Sequence, residues 1–501
     1  MPSPLLIILV HGWSVTHTDT YGGLAARLKT ESDKGNLPPV EITDIWLSKY
    51  VSFRDEVKMV DLARGMEAAV QREIMPLLSG GRRFAAITHS TGGPVVREWW
   101  DRYYVQKKRD DCPMSHLVML APANFGSALA QLGKGRFNRL KTAITERVEV
   151  GQGVLDWLEI GSPEAVALNQ RFISEYQDTS RKATPVFQFV LTGQTIDRHF
   201  YDNLVPFTGE MGSDGVVRVP SANLNSRYVR LEQENFTEGN RSIRALPLFK
   251  AEERDSPRVA FTLIPGVAHS GDEIGIMRSV RDNAYDHPTV RAIIQCLRVA
   301  TQSDYTRVYH EFSAQTDEVR TRERVEEVDR AILKDRHYIH DAASMAIVRC
   351  MDDHGFPLAD FDLFFTGPDD DPNRLPPGFL INAQTNKRAA ATHTYYVNHD
   401  VMAGIGRITT AGGKELRPAM PRLERLGIMI DVRPKDGFVR YLPTALWAQP
   451  EHLDLLFRPN QTTIVDIVLR RVVGRGVFEL EKWGPGWEPG SFKGQDEGAP
   501  I

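Results

Sequence analysis

Ser90 is the residue whose surroundings most favour nucleophilic chemistry. It lies in the run Thr88-His89-Ser90-Thr91-Gly92-Gly93, after the short apolar segment 84–88 and before a helical pattern. A serine hydroxyl becomes a useful nucleophile when a base takes its proton and hydrogen-bond donors stabilise the oxyanion. A tight strand–turn–helix with small neighbours presents the serine for this purpose. Gly92 fits that pattern, whereas Thr88 stands where glycine is commoner. A buried serine in an ordinary turn is the alternative.

A carboxylate and a histidine are expected later in the chain, each in a loop after a strand. Asp214 lies between Ser213 and Gly215 in the loop that follows the predicted strand 186–191. A turn of small residues suits a carboxylate that orients an imidazole. Asp197 and Asp202 compete in the same loop, and the sequence favours Asp214.

His269 occupies the position expected of the general base. It lies in a loop of small residues after the apolar strand 259–264, and it is third in the order serine, aspartate, histidine. His287 is the rival, and an N-terminal helix cap is its simpler role. Asp272 is predicted to be a surface or capping residue. The ordered set Ser90, Asp214 and His269 predicts acyl transfer, which needs no metal ion or organic cofactor.

Two backbone N–H groups are predicted to form the oxyanion hole. The segment His11-Gly12-Trp13 follows the apolar run 5–10, where a loop can reach the nucleophile. We assign the N–H groups of Trp13 and Thr91 to the oxyanion. His11 is interpreted as a packing or loop-orienting residue. His89 is predicted to point away from the nucleophile.

The overall composition is that of an ordinary globular protein. Hydrophobic residues make up 42% of the 501 positions, charged residues 25%, and the formal net charge is −4. Such a balance gives no indication of a nucleic-acid partner. The three cysteines are far apart, which predicts neither a disulfide framework nor a metal site. The apolar run 5–10 is too short for a signal peptide and lacks a basic segment before it, so we expect cytoplasmic synthesis without a signal peptide.

Short apolar runs alternate with helical patterns up to about residue 303. Six runs read as strands, and they are 5–10, 40–47, 84–88, 117–121, 186–191 and 259–264. Helices are predicted over 20–30, 56–78 and 288–300. This alternation is typical of a mostly parallel sheet that is covered by helices on both faces. Residues 1–303 are therefore predicted to form one α/β catalytic domain. An insertion at 126–185 would form a cap or lid, whose apolar residues either line an acyl pocket or pack inward.

The pattern changes in residues 304–501. A charged stretch, 316–336, is predicted to be a connecting helix. Short β-rich runs then alternate with clusters of Pro, Gly and Asp, a pattern that suits an antiparallel sandwich or barrel. The second part of the chain is therefore predicted to be a β-rich accessory domain.

Four stretches resemble a known group of enzymes. They are residues 8–13 (ILVHGW), 89–93 (HSTGG), 120–127 (LAPANFGS) and 213–217 (SDGVV). Together they resemble bacterial triacylglycerol lipases and esterases, and the related GPI inositol-deacylase-like proteins, over roughly residues 5–300. The departures are Thr88 for glycine and the inserted Ala123. The resemblance implies an α/β-hydrolase fold, ester hydrolysis through an acyl-enzyme and a lipid or ester substrate, with contact to a membrane surface.

The same resemblance leaves several functions open. Some lipases of this group are antibacterial effectors of type VI secretion and lack signal peptides. By analogy, the enzyme would be exported by a signal-less system and would meet an immunity or delivery protein. An esterase or thioesterase acting on a soluble substrate keeps the chemistry with another substrate. A catalytically inactive hydrolase-fold binding protein is the third alternative.

Overall fold

The computed structural model of the chain describes most of its length. The described residues are 4–10, 21–45, 55–132, 151–176, 185–197, 210–235, 246–283, 286–328, 336–433, 439–473 and 484–486. None of the helices in these ranges is long and apolar enough to cross a membrane.

The described residues form 21 strands and nine α-helices. The strands are β1 (Leu5–Val10), β2 (Val40–Ile45), β3 (Phe84–His89), β4 (Met114–Leu120), β5 (Phe187–Thr192), β6 (Ser226–Gln233), β7 (Leu246–Asp255), β8 (Ala260–Leu263), β9 (Val325–Val328), β10 (Arg336–Ile339), β11 (Ala343–Asp352), β12 (Phe361–Thr366), β13 (Leu380–Thr385), β14 (Thr392–Asn398), β15 (Ile408–Thr409), β16 (Glu415–Arg417), β17 (Leu426–Val432), β18 (Val439–Arg440), β19 (Thr444–Ala448), β20 (Thr462–Leu469) and β21 (Val472–Val473). The helices are α1 (Leu24–Asp33), α2 (Met59–Ala69), α3 (Gly92–Trp100), α4 (Gln152–Leu158), α5 (Pro163–Glu175), α6 (Val219–Ala222), α7 (Pro288–Leu297), α8 (Gln302–Arg322) and α9 (His399–Ala403).

The first sheet has six parallel strands in the order β2-β1-β3-β4-β5-β8. Alternate residues of β1 point to opposite faces, so Ile8 packs with α2 and α3 while Ile7 packs with α1 and α7. Both faces are therefore buried, which explains why these strands are continuous apolar runs. The predicted parallel sheet with helices on both faces is confirmed.

Helix α8 covers the edge of this sheet that is formed by β8. The hydroxyl of Tyr305 accepts a hydrogen bond from the N–H of Ala260 at 3.1 Å, and that of Thr316 accepts one from Leu263 at 3.2 Å. Unpaired edge strands invite aggregation, and side-chain acceptors that occupy the edge prevent it. The helix begins at Gln302 and ends at Arg322, so the predicted connecting helix 316–336 is wrong in its bounds. Residues 325–328 instead form the strand β9, which pairs with β10 in antiparallel orientation.

The second sheet has nine strands in the order β12-β17-β19-β7-β6-β20-β11-β14-β13. Three of its pairings are parallel: β11 with β20, β20 with β6, and β19 with β7. The expectation of an antiparallel sandwich or barrel is therefore wrong, because the parallel partners come from distant parts of the chain. Strands β6 and β7 precede residue 303, so this sheet draws on both sides of the predicted domain boundary. The boundary itself stays a prediction.

Helix α5 is shared between the two sheets. Leu168 and Phe172 pack into the core of the first sheet. Val166 and Ile173 pack against the second sheet, beside Ile347. Of the two interpretations of the insertion 126–185, inward packing therefore describes this helix. Residues 133–150 and 177–184 of the insertion lie outside the described residues.

Candidate active site

Ser90 lies at the sharp turn between β3 and α3. Its φ of +54° is a left-handed backbone conformation that residues other than glycine rarely adopt. The Ser90 N–H donates to the carbonyl of Leu120 at 3.0 Å, which ties the turn to β4, and Gly93 N–H donates to the Ser90 carbonyl at 3.2 Å. These bonds hold the serine in a strained conformation of the kind found at functional sites.

His269 connects Ser90 to Asp214. Its Nε2 lies 3.1 Å from the Ser90 Oγ, and its Nδ1 lies 2.9 Å from the Asp214 Oδ2. A carboxylate can only accept, so Nδ1 carries the proton and the neutral Nε2 is free to accept from the serine hydroxyl. This is the arrangement that a general base requires. The structure therefore brings together the three residues that the sequence selects as nucleophile, base and acid.

Asp214 is held by its own loop. It is fully buried, and its Oδ1 accepts hydrogen bonds from the N–H groups of Val216 and Val217 at 3.0 and 2.7 Å. Its carbonyl also accepts from the His269 N–H at 3.0 Å. Backbone donors stabilise the ionised carboxylate and fix its direction. The short spacing in Asp214-Gly215-Val216-Val217 makes this possible, because the chain turns back onto the carboxylate.

The segment after β4 supports the loop of Asp214. The hydroxyl of Ser127 donates to the Val216 carbonyl at 2.5 Å, and that of Ser221 donates to the Gly126 carbonyl at 2.6 Å. Asn124 donates to the Ala222 carbonyl at 2.7 Å. Residues 120–127 and 213–217, two of the four stretches that carry the sequence resemblance, are thus joined by the bond from Ser127 to Val216. The side chains of Asn124, Ser127 and Ser221 support the Asp214 loop and are not members of the serine–histidine–aspartate chain.

The oxyanion assignment stays a prediction. Thr91 is the N-cap residue of α3, directly after Ser90. Trp13 and His11 lie outside the described residues.

The other candidates occupy separate positions. His89 does not turn away from the site as predicted: its ring lies 4.9 Å from that of His269, and its Nε2–H donates to the His269 carbonyl at 3.1 Å. His287 caps α7 by accepting from the Thr289 N–H, and burial lowers its pKa. Asp272 is exposed and pairs with Arg278.

The carboxylates that compete with Asp214 do not replace it. His269 pairs with Asp214, while Asp197 lies in a buried position near Gly271. Asp202 lies outside the described residues, as does most of the loop 196–213. In the part of the chain that the structure describes, no group of three His, Cys, Asp or Glu side chains could hold a metal ion.

Two further features near the triad have no counterpart in the sequence predictions. One is Glu323, at the end of α8, which accepts from the Gly266 N–H at 2.9 Å and so holds the start of the loop that carries His269. Burial raises the pKa of this carboxyl. The other is a contact between the Asp214 loop and Tyr396 on β14. Both bring residues from far along the chain, and no local pattern marks them.

Comparison with known proteins gives results only at the level of solved structures. No family model matches the sequence, and no curated protein matches it. Two structures of phospholipase PlaB from Legionella pneumophila, one of them in complex with thio-NAD, match with a TM-score of 0.84 and 38% sequence identity. Each alignment covers 99% of this chain and 100% of the other.

The match to PlaB extends over both sheets, and the α/β-hydrolase fold with a β-rich second part is thereby confirmed. A lipase of Bacillus licheniformis, BlEst2 in its mature form, aligns at 16% identity and a TM-score of 0.32 over 44% of this chain and 80% of the lipase. That likeness is too weak to support an argument.

Proposed function

The chain belongs to the same family as phospholipase PlaB of Legionella pneumophila, and from this premise we propose that it hydrolyses carboxylic esters of phospholipids through an acyl-enzyme on Ser90. The observation that carries the proposal is the hydrogen-bonded chain from the Ser90 Oγ through His269 to the buried Asp214. The family supports the lipid substrate, and the geometry supports the serine mechanism.

The reaction proceeds in two halves. Ser90 Oγ attacks the ester carbonyl while its proton passes to His269 Nε2, and Asp214 stabilises the resulting imidazolium. The imidazolium then protonates the leaving alcohol, and the acyl group stays on Ser90. A water molecule gives its proton to His269 and attacks the acyl-enzyme. The fatty acid leaves and Ser90 recovers its proton.

The oxyanion of each tetrahedral intermediate needs two donors. We propose the backbone N–H groups of Thr91 and Trp13 for this role. Thr91 follows the nucleophile at the first turn of α3, where N–H groups lack partners within the helix. Donors fixed in this way stabilise the developing charge without reorganising during the reaction.

Replacement of the nucleophile tests the proposal. We expect Ser90→Ala to release no fatty acid above background from phosphatidylcholine vesicles, because the hydroxyl that attacks the ester is then absent. Ser79→Ala, which changes an exposed serine in a turn, should keep wild-type activity. Circular dichroism of both variants checks the fold. Wild-type rates for a folded Ser90→Ala protein would rule out the assignment.

Two substrate classes are distinguished by parallel assays. Phospholipid vesicles and p-nitrophenyl butyrate are given to the same enzyme, and a phospholipase should turn over the vesicles with the higher kcat/KM. A preference for the soluble ester would favour the esterase or thioesterase alternative. Labelling by a fluorophosphonate probe separates both from an inactive binding protein, since only a base-activated serine reacts. Export as a type VI effector, and an immunity or delivery partner, stay predictions from the sequence resemblance.

A further inference from the structure

The loop of Asp214 is seated on the second sheet. The hydroxyl of Tyr396, a fully buried residue of β14, lies 2.8 Å from the Met211 carbonyl and 2.9 Å from the Gly212 carbonyl. Gly212 has a φ of +69°, and a Cβ at this position would lie 2.6 Å from the Tyr396 hydroxyl. The backbone just before Asp214 therefore rests directly on this phenol.

A buried ion pair closes the same loop. Arg218 Nε and Nη2 donate to the two carboxylate oxygens of Glu210 at 2.6 and 2.8 Å, and Arg218 is only 1% exposed. Its guanidinium lies 4.2 Å from the centre of the Tyr396 ring, within the range of a cation–π contact. Removing two charges from water gives little net stability. A bidentate ion pair between the two ends of a short loop does, however, fix the conformation of that loop.

The shape of the loop sets the position of the Asp214 carboxylate. The Asp214 N–H donates to the Val217 carbonyl at 3.1 Å, and the Val219 N–H donates to the Gly212 carbonyl at 2.8 Å. These bonds lie between the ion pair and the carboxylate, which itself accepts from Val216 and Val217. A shift of the loop on Tyr396 would therefore change the distance from Asp214 Oδ2 to His269 Nδ1.

We propose that Tyr396 and the Glu210–Arg218 pair are positioning residues of the triad, so that the nine-stranded sheet holds Asp214 in line with His269. The inference rests on the proposed serine mechanism and assigns the second sheet a part in it. Burial raises the pKa of Tyr396 well above its ordinary value, which favours the neutral phenol that donates the hydrogen bond.

The test compares two neighbouring tyrosines. Tyr396→Phe removes the hydroxyl under the Asp214 loop. Tyr395→Phe is the matched control, because Tyr395 is also buried but points to the opposite face of the sheet, where its ring packs on Phe365. Ester hydrolysis is measured over a range of pH, together with the rate at which a fluorophosphonate probe labels Ser90.

We expect Tyr396→Phe to lower kcat and the labelling rate about tenfold, the effect of one buried hydrogen bond, with KM unchanged. The acid limb of the kcat/KM profile should also move to lower pH, because a displaced Asp214 stabilises protonated His269 less. His269 otherwise faces His89, which neither variant alters. Tyr395→Phe should keep wild-type rates and the wild-type profile.

Arg218→Lys is the second variant, because it keeps the positive charge but cannot form the bidentate hydrogen bonds to Glu210. We expect it to change kcat and the pH profile in the same direction as Tyr396→Phe. Wild-type labelling rates and an unchanged pH profile in both variants would overturn the inference, while the serine mechanism would stand if Ser90→Ala resists the probe. Equal labelling of wild type and Ser90→Ala would instead remove the serine mechanism, and the inference with it.

Discussion

Ser90 combines a reactive position with an unfavourable backbone conformation. A φ of +54° costs a residue with a Cβ on the order of 1 kcal/mol, and the surrounding strand and helix must supply this energy. The turn projects the side chain out of the sheet toward His269, at a distance of 3.1 Å. The strained residue is therefore the one whose side chain the proposed reaction requires to face His269.

Asp214 determines which ring nitrogen of His269 carries the proton. In Asp214→Asn the amide oxygen can still accept from Val216 and Val217, but the amide nitrogen then faces His269 Nδ1. The imidazole would respond by carrying its proton on Nε2, where it cannot accept from Ser90. We expect kcat for ester hydrolysis to fall about 10⁴-fold with little change in stability.

Asp197→Asn provides the control for this prediction, because Asp197 is the competing carboxylate of the same region and is also buried. It should retain activity near that of the wild type. A loss of activity in Asp197→Asn together with an active Asp214→Asn would reverse the assignment of the acid.

The grouping of Ser90, Asp214 and His269 could be predicted from the sequence because each lies in a loop that follows an apolar strand. Parallel strands end at the same edge of a sheet, so order along the chain is enough to bring Ser90, Asp214 and His269 together. The contacts of Tyr396 could not be predicted in this way. Tyr396 reaches Gly212 across the interface between two sheets, and nothing in its neighbourhood along the chain marks that contact.

At the scale of elements, the sequence predicts the first sheet and a β-rich second part, but it does not predict β6, β7 or the parallel pairings of the second sheet. Strands buried on both faces appear as plain apolar runs, as in 5–10 and 84–88. Strands β6 and β7 were missed because charged residues interrupt them. The structure pairs those charges across the strands: Arg227 lies 2.6 Å from Glu253 and 2.8 Å from Asp255. Such pairs form only once the two strands have met.

A buried histidine of strand β4 makes the free energy of unfolding depend on pH. His116 is 7% exposed, its Nε2–H donates to the Val299 carbonyl at 2.8 Å, and its ring stacks on Phe189. Burial lowers the pKa of His116 from its ordinary 6.5 to about 4. Between these values the unfolded chain binds a proton that the folded protein does not, so stability from this group is complete above pH 6.5 and is lost as the pH falls toward 4.

Replacement of His116 should remove this dependence. The free-energy advantage of the wild type over His116→Gln should shrink by about 2 kcal/mol between pH 6.5 and about pH 5. Urea unfolding of both proteins at several pH values measures it. His310, an unburied histidine of α8, supplies the comparison variant His310→Gln, whose unfolding free energy should follow that of the wild type. Parallel curves for wild type and His116→Gln would contradict the prediction.

At the scale of the whole molecule, the two sheets are joined by shared segments of the chain and by a shared helix. Strands β6 and β7 lie between β5 and β8 in the sequence, but they pair in the middle of the second sheet. Helix α5 buries Leu168 on one side and Val166 on the other. The Asp214 loop lies between them, against Tyr396. A catalytic unit that ends near residue 303 would therefore expose surfaces that are buried in the 501-residue chain.

Truncation tests this unity. A chain that ends after residue 324 keeps the whole first sheet and α8, but it leaves Val229 and Leu231 of β6 and Val166 of α5 without the second sheet. We expect this fragment to bind a hydrophobic dye, to lack a cooperative urea transition and to lose activity. The full chain should unfold in a single transition. An active fragment that unfolds cooperatively would show that the first sheet is independent.

The position of β6 also bears on the order of events at the ribosome. One neighbour of β6 is β7, which follows it closely, but the other is β20, at Thr462–Leu469. The strand β6, at the centre of the second sheet, is thus translated long before β20, the strand with which it pairs. Pairings between such distant segments form slowly. The nascent enzyme should therefore stay inactive and dependent on chaperones until β20 has left the exit tunnel, although Ser90, Asp214 and His269 are all translated long before.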